Sequence, residues 1–129
     1  MITVCAAIIF NEKKDKILIG RRKSGDFKGF FEFPGGKLEE NETPENCILR
    51  ELEEELCVKS EIISFFHEVI HKYKSGTIKI IFFEVKLIDL EICSNDHDLL
   101  LWEKPSEFKK YKFPEADLKI IELLNSKLN

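Results

Sequence analysis

The sequence predicts an α/β chain, in the α+β sense, with helices packed on a mixed β-sheet as an α/β/α sandwich. Three observations lead there. Apolar, β-branched runs at Thr3–Phe10, Lys16–Arg22 and Thr77–Ile88 have the composition of buried strands. Between them, Ile48, Leu52 and Leu56 recur every four residues, as on one face of an amphipathic helix. A second helical pattern closes the chain, with Leu118, Ile121, Leu124 and Leu128 expected on one face.

Taken in order, MITVCAAIIF has no basic leader and is interrupted by Asn11, Glu12 and Lys13, so it reads as a strand, neither signal peptide nor membrane span. NEKKDK is a polar turn, and the strands on either side of it are expected to form a hairpin. KSGDFKG is a loop; FFEF (30–33) is a short aromatic strand that Pro34-Gly35-Gly36 should end. Thr43 is placed to cap the first helix, and Pro44 suits its first turn, where a missing N–H costs nothing. Glu61–Lys74 is expected to be extended, bending at Gly76 into 77–88. Asn95–Asp98 reads as a polar loop, Leu99–Trp102 as a short strand, Pro105–Lys110 as one helical turn, and Pro114–Leu128 as the last helix.

The bulk numbers bound the function. A chain of 129 residues fits one domain, expected over 1–129. With 20 basic and 24 acidic side chains (net charge -4) and no dominant Lys/Arg cluster, a nucleic-acid strand is an unfavourable primary ligand. No membrane partner is expected, and a cytoplasmic location is. Cys5, Cys47, Cys57 and Cys93 form no C-x-x-C pair, so they are expected to be reduced thiols rather than a disulfide framework or zinc site. His67 and His71, four apart in an extended segment, do not suggest a zinc pair either.

The acidic run behind Arg50 carries the chemistry. Glu51, Glu54 and Glu55 stand at i, i+3 and i+4 and should converge on one helix face, with Glu53 directed to water. Like charges at those spacings cost a bare helix about 0.2–0.5 kcal/mol per pair. No lysine interrupts them before Cys57. One reading is a solvated acidic face. The other is a bound hard cation: Mg²⁺ binds through one or two carboxylates plus substrate phosphates. Spacing alone leaves both open.

The wider pattern favours the cation. Gly36, five residues, Glu42, seven residues, then Arg50-Glu51-Leu52-Glu53-Glu54-Glu55 and Val58 together resemble the Nudix box (36–58) of the Nudix hydrolase superfamily. Cys57 departs from it, since the family has Gly there; a helix-ending residue with positive φ is costly for Cys. The resemblance implies a loop–helix–loop motif in a Nudix fold. It implies Mg²⁺, or Mn²⁺, on Glu51, Glu54, Glu55 and the Gly35 carbonyl. Arg50 would orient Glu51, and Glu42 would support the loop. Asp96 would be a further metal-loop acid, with Asp98 as rival and His97 between them solvated.

The whole chain is similar to the MutT-like branch, through Arg21-Arg22, FFEFPGGK and a final F-P-x-A-x element. That resemblance implies hydrolysis of a nucleoside triphosphate such as 8-oxo-dGTP to the monophosphate and pyrophosphate, by attack at the β-phosphorus, in a monomer or homodimer. Arg22, Phe33, Tyr73 and Asp117 would contact the nucleotide, with Phe33 or Tyr73 stacking on the base. Each also has a plain structural reading: a strand-end charge, a core ring, a hairpin residue and a helix N-terminal acid. Asp117, where MutT has Asn, is also similar to the CTP pyrophosphohydrolase branch. A pyrimidine triphosphate or another nucleoside diphosphate derivative is therefore an alternative substrate, and a non-catalytic nucleotide sensor is an alternative of another class.

Overall fold

Strand β1 (Ile2–Ile8) lies at the centre of the larger sheet of this computed structural model, which describes residues 1–89 and 91–128, with Leu128 described in its backbone only. β1 pairs antiparallel with β4 (Gly35–Lys37) on one side and parallel with β6 (Gly76–Leu87) on the other. β5 (Ser60–Tyr73) completes the order β4-β1-β6-β5 by pairing antiparallel with β6. β2 (Ile17–Arg22) sits between β3 (Phe31–Glu32) and β7 (His97–Glu103) in a three-stranded antiparallel sheet. The mixed architecture expected from the sequence is present.

Two local expectations are corrected. The chain does reverse at Asn11–Lys16, where Phe10 bridges Ile17 and Leu18 N–H donates to the Ile9 carbonyl at 3.0 Å. β1 and β2 nevertheless part into different sheets, because β4 and β6 already occupy both edges of β1. The Gly35-Gly36 pair is no simple terminator either: it forms β4 and lies directly beside Cys5 and Ala6. A Cβ on Gly35 would collide with the Cys5 carbonyl, so the pairing needs a residue without one.

The strands serve two cores by strict alternation. Ala6, Ile8, Ile17, Ile19, Ile80 and Phe82 face helix α2 (Glu115–Leu128), while Cys5, Ala7, Ile9, Leu18, Ile81 and Phe83 face helix α1 (Pro44–Leu56). Burying each large aliphatic or Phe side chain contributes about 1.5–3 kcal/mol. A 3-10 turn at Pro105–Lys110 adds Phe108 to the α2 side.

In α1, Cys47, Ile48, Leu52 and Leu56 are buried as the periodicity requires. Thr43 Oγ1 accepts from Asn46 N–H at 3.1 Å, with Pro44 in the first turn. In α2 the buried stripe is Ala116, Ile120 and Leu124. This corrects the predicted face: Leu118 is 51% exposed and Ile121 only partly buried, while Leu128's side chain lies outside the described residues. Both stripes have helical spacing, so periodicity alone does not choose between them. Among the described residues no helix is long and apolar enough to cross a membrane.

Candidate active site

The site is built where α1, β4, the end of β3 and the segment before β7 meet. Arg50 is its hub. Its Nε and Nη2 donate to Glu42 Oε2 and Oε1 at 2.7 and 3.0 Å, a two-pronged ion pair. Nη1 donates to Glu51 Oε1 at 2.9 Å and Glu54 Oε2 at 3.1 Å, and Nη2 also reaches the Lys37 carbonyl at 3.1 Å. Glu42 in turn accepts from Glu39 N–H at 3.1 Å. Arg50 beside it, aided by that N–H, holds the Glu42 carboxyl down at about 2.

Gly36 explains how Glu51 fits. A Cβ on Gly36 would overlap the Glu51 carboxylate, so β4 passes the acid only because this residue has no side chain. Burial raises the Glu51 pKa against the lowering effect of Arg50, and Glu54 and Asp96 push it further up.

The three helix acids differ in exposure. Glu53 is exposed as expected, and so is Glu54, with its side chain 61% exposed. Glu55 is 2% exposed and turns inward beside the apolar stripe. Neither of its oxygens has a hydrogen-bond partner among the described residues. Burial, followed by the negative charges of Glu32 and Asp96, drives its pKa up to about 9; the Gly35 backbone N–H, near Glu55 but outside hydrogen-bond geometry, opposes the rise. An unpaired buried carboxylate is costly unless a cation or a proton compensates it. This orphaned acid, half-buried Glu51 and the acids around them fit a hard divalent ion through oxygen donors.

Two members of the constellation escaped the sequence reading. Glu32 and His97 join Glu55 as a trio whose donor atoms lie within 4.8 Å of one another. His97, expected in solvent, is buried: its Nε2 is 2.9 Å from Glu32 Oε2 and its Nδ1 3.1 Å from Ser94 Oγ. The signal for it was Gly20. A glycine within the strand KILIGRR marks a close approach, and a Cβ there would sit 2.6 Å from the His97 ring. Glu32 was legible as a lone charge in the aromatic run FFEF.

The segment that presents Asp96 and His97 is fastened to the end of α1. Cys57 N–H donates to the Glu53 carbonyl, Asn95 Nδ2 to Glu54, Asn95 N–H to Glu55 and Cys93 N–H to Leu56, at 3.1, 2.7, 3.1 and 3.0 Å. All four terminal carbonyls of the helix thereby find donors. Cys57 ends the helix in the left-handed region (φ 62°), as the Gly it replaces would. It is also joined to Cys93 by a disulfide, their Cα atoms 5.7 Å apart. This corrects the expectation of reduced thiols: the fold brings together two cysteines whose sequence separation of 36 gives no local signal. Cys5 and Cys47 are free and buried. Asp96 is exposed and near Glu51 and Glu55, while Asp98 is held by Arg21 at 2.7 Å.

The nucleotide candidates separate. Arg22 donates to Glu32 Oε1 and to the Asp26 carbonyl, both at 2.9 Å. Phe33 is 4% exposed and packs in the core against Phe82, Phe108 and Phe113. Tyr73 uses its hydroxyl to accept from Ala116 N–H at 3.0 Å, capping α2, and its ring meets Phe27 and His71. Asp117 is buried at the start of α2; burial, then the charge of Glu32, raises its pKa to about 8.

The NUDIX domain family model matches residues 1–124. The chain belongs to the Nudix family. It is 31% identical to the CTP pyrophosphohydrolase of Escherichia coli K12, over 95% of this chain and 90% of that protein. It is 32% identical to an 8-oxo-dGTP diphosphatase of Haemophilus influenzae, over 100% of this chain and 96% of that one. Among solved structures, the E. coli ORF135 protein superimposes with a TM-score of 0.82 at 29% identity, covering 98% and 89% of the two chains. This Nudix chain is accordingly a hydrolase of phosphoric anhydrides, in a family that generally uses divalent metal.

Proposed function

We propose that this Nudix hydrolase is a Mg²⁺-dependent nucleoside triphosphate pyrophosphohydrolase of MutT type. It releases pyrophosphate and the monophosphate from 8-oxo-dGTP or a related nucleotide, and so cleans the cytoplasmic nucleotide pool. The observation that carries the metal part is Glu55, a buried carboxylate with no hydrogen-bond partner among the described residues, beside Glu51 and Asp96. Glu51, Glu54, Glu55, Asp96 and the Gly35 carbonyl are the groups that would hold the ion. A bound divalent ion supplies neutralisation of phosphate charge and a lowered pKa for an attacking water. The chain's own contribution is positional. Glu42 fixes Arg50, Arg50 fixes Glu51 and Glu54, and Gly36 leaves room for Glu51.

Asp117 supports a purine reading. Burial, then the charge of Glu32, raises its pKa to about 8, which favours the protonated form at neutral pH. It then offers a donor and an acceptor, as an Asn amide does. The second reading, a CTP pyrophosphohydrolase, is favoured by the E. coli relative of that name.

A panel of 8-oxo-dGTP, dGTP, CTP, dCTP and a nucleoside diphosphate sugar with Mg²⁺ tests the proposal, with pyrophosphate and orthophosphate measured separately. Pyrophosphate released fastest from 8-oxo-dGTP is the expected result. Fastest release from CTP would establish the second reading, and cleavage of none of the triphosphates would reject both. Glu54→Gln should lower kcat by about 100-fold or more while the fold persists.

A further inference from the structure

We propose that His97 is a positioning residue for Glu55: its ring, itself held through Glu32 to Arg22, walls in the orphaned carboxylate of the site. The proposal rests on the metal-binding role proposed above for Glu55.

The geometry forms one continuous line. Arg22 Nη1 donates to Glu32 Oε1 at 2.9 Å, Glu32 Oε2 lies 2.9 Å from His97 Nε2, and His97 Nδ1 lies 3.3 Å from Glu55 Oε1. The last contact is close but lacks hydrogen-bond alignment, since Glu55 has no such partner and Nδ1 is engaged with Ser94 Oγ at 3.1 Å. The imidazole therefore acts on Glu55 as a fixed wall rather than a tether. It is well suited to that task. The His97 side chain is fully buried, its two nitrogens are held at opposite ends of the ring, and Gly20 gives the ring a flat seat. Its own backbone N–H donates to Ser94 Oγ at 3.1 Å. A Glu side chain has three torsions, and with no aligned hydrogen bond on either oxygen Glu55 depends on its packed neighbours to stay in one rotamer. Groups that orient a ligand matter to metal affinity nearly as much as the ligand itself, commonly by 10–100-fold.

The test is Mn²⁺ binding to the nucleotide-free protein by isothermal titration calorimetry, with kcat and KM measured at saturating metal. His97→Ala should weaken Mn²⁺ binding by about 10–100-fold, with KM for nucleotide within about twofold of the wild type. His97→Gln, which keeps an amide donor toward Glu32, should recover part of that loss. Gly20→Ala, which displaces the ring while keeping it, should reproduce the His97→Ala effect. If His97→Ala does not fold, His97→Gln and Gly20→Ala carry the test, each expected to bind more weakly than the wild type. Wild-type Mn²⁺ affinity in the folded variants would overturn the positioning role and leave the metal site standing. A wild type that binds no Mn²⁺ would overturn both. Nitrogen coupling to bound Mn²⁺ in electron spin echo spectra of the wild type would make His97 a ligand and overturn the positioning role.

Discussion

Gly36 lies so close to the carboxylate of Glu51 that a single added carbon would overlap it. The two are far apart in sequence, one on β4 and the other on α1, yet the strand leaves that acid just enough room. Gly36→Ala should therefore displace Glu51 rather than unfold the chain, since the clash is with the far end of a side chain. Misplacing a reacting or metal-holding group by an ångström costs about 100-fold in rate. Steady-state kinetics should show that loss in kcat, with a melting temperature close to the wild type.

Arg50→Lys tests the hub. A lysine cannot reproduce the fork that holds Glu42 while also reaching Glu51, Glu54 and the Lys37 carbonyl. The variant should be less stable than the wild type in urea unfolding at neutral pH. Acid titration adds a signature. The Glu42 pKa is depressed, so the stability it contributes is present above the ordinary carboxylate range and is lost as pH falls toward about 2. Wild-type stability should decline over that window, and the decline should be shallower in Arg50→Lys.

Asp117 carries the opposite sign. Its raised pKa means that the folded chain holds a proton the unfolded chain has released, from the ordinary carboxylate range up to about 8. Its contribution to stability should fall as pH rises across that window, alongside the same-signed contribution of Glu55, whose pKa is raised to about 9. Asp117→Asn removes one of the two ionisations and should make the slope shallower, read as unfolding midpoints at pH 5, 6, 7 and 8.

Cys57→Ser addresses the disulfide. Oxidised wild type should exceed the variant by about 3–4 kcal/mol in urea unfolding, the amount expected for a cross-link closing a loop of this size. A reductant should erase that difference. Thiol counting on the denatured, unreduced wild type should find Cys5 and Cys47 alone. Four thiols and no effect of reductant would dismiss the bond.

The corrected face of α2 is tested by two substitutions to alanine. Ile120 is fully buried and should cost about 2–5 kcal/mol. Leu118 is half exposed and should cost less than about 1 kcal/mol. Equal costs would restore the stripe suggested by the sequence.

These cases mark what the sequence could and could not convey. The α1 stripe and its Thr43-Pro44 start were legible because each is a local matter of spacing or capping, whereas whether Cys57 would take the left-handed end was left open by the sequence. The box acids were legible as a run lacking counter-charge. What stayed hidden depends on distant segments meeting. Examples are the split of β1 and β2 into different sheets, the Cys57–Cys93 pair, and the inward turn of Glu55 beneath His97. Phe33 shows a further limit: in a chain with 11 Phe residues, a ring beside a glycine turn is as readily core as ligand platform, and only packing decides.

The far end of α1 has a dynamic consequence. Helix ends ordinarily fray, because their last carbonyls look to water. Here the carbonyls of residues 53 to 56 are all spoken for by Cys57, Asn95 and Cys93. Deuterium should therefore enter the amides of that last turn as slowly as those of β1, through opening of the whole domain. The acids on that turn would ride on a rod gripped at both tips, and their jitter would be that of the body itself.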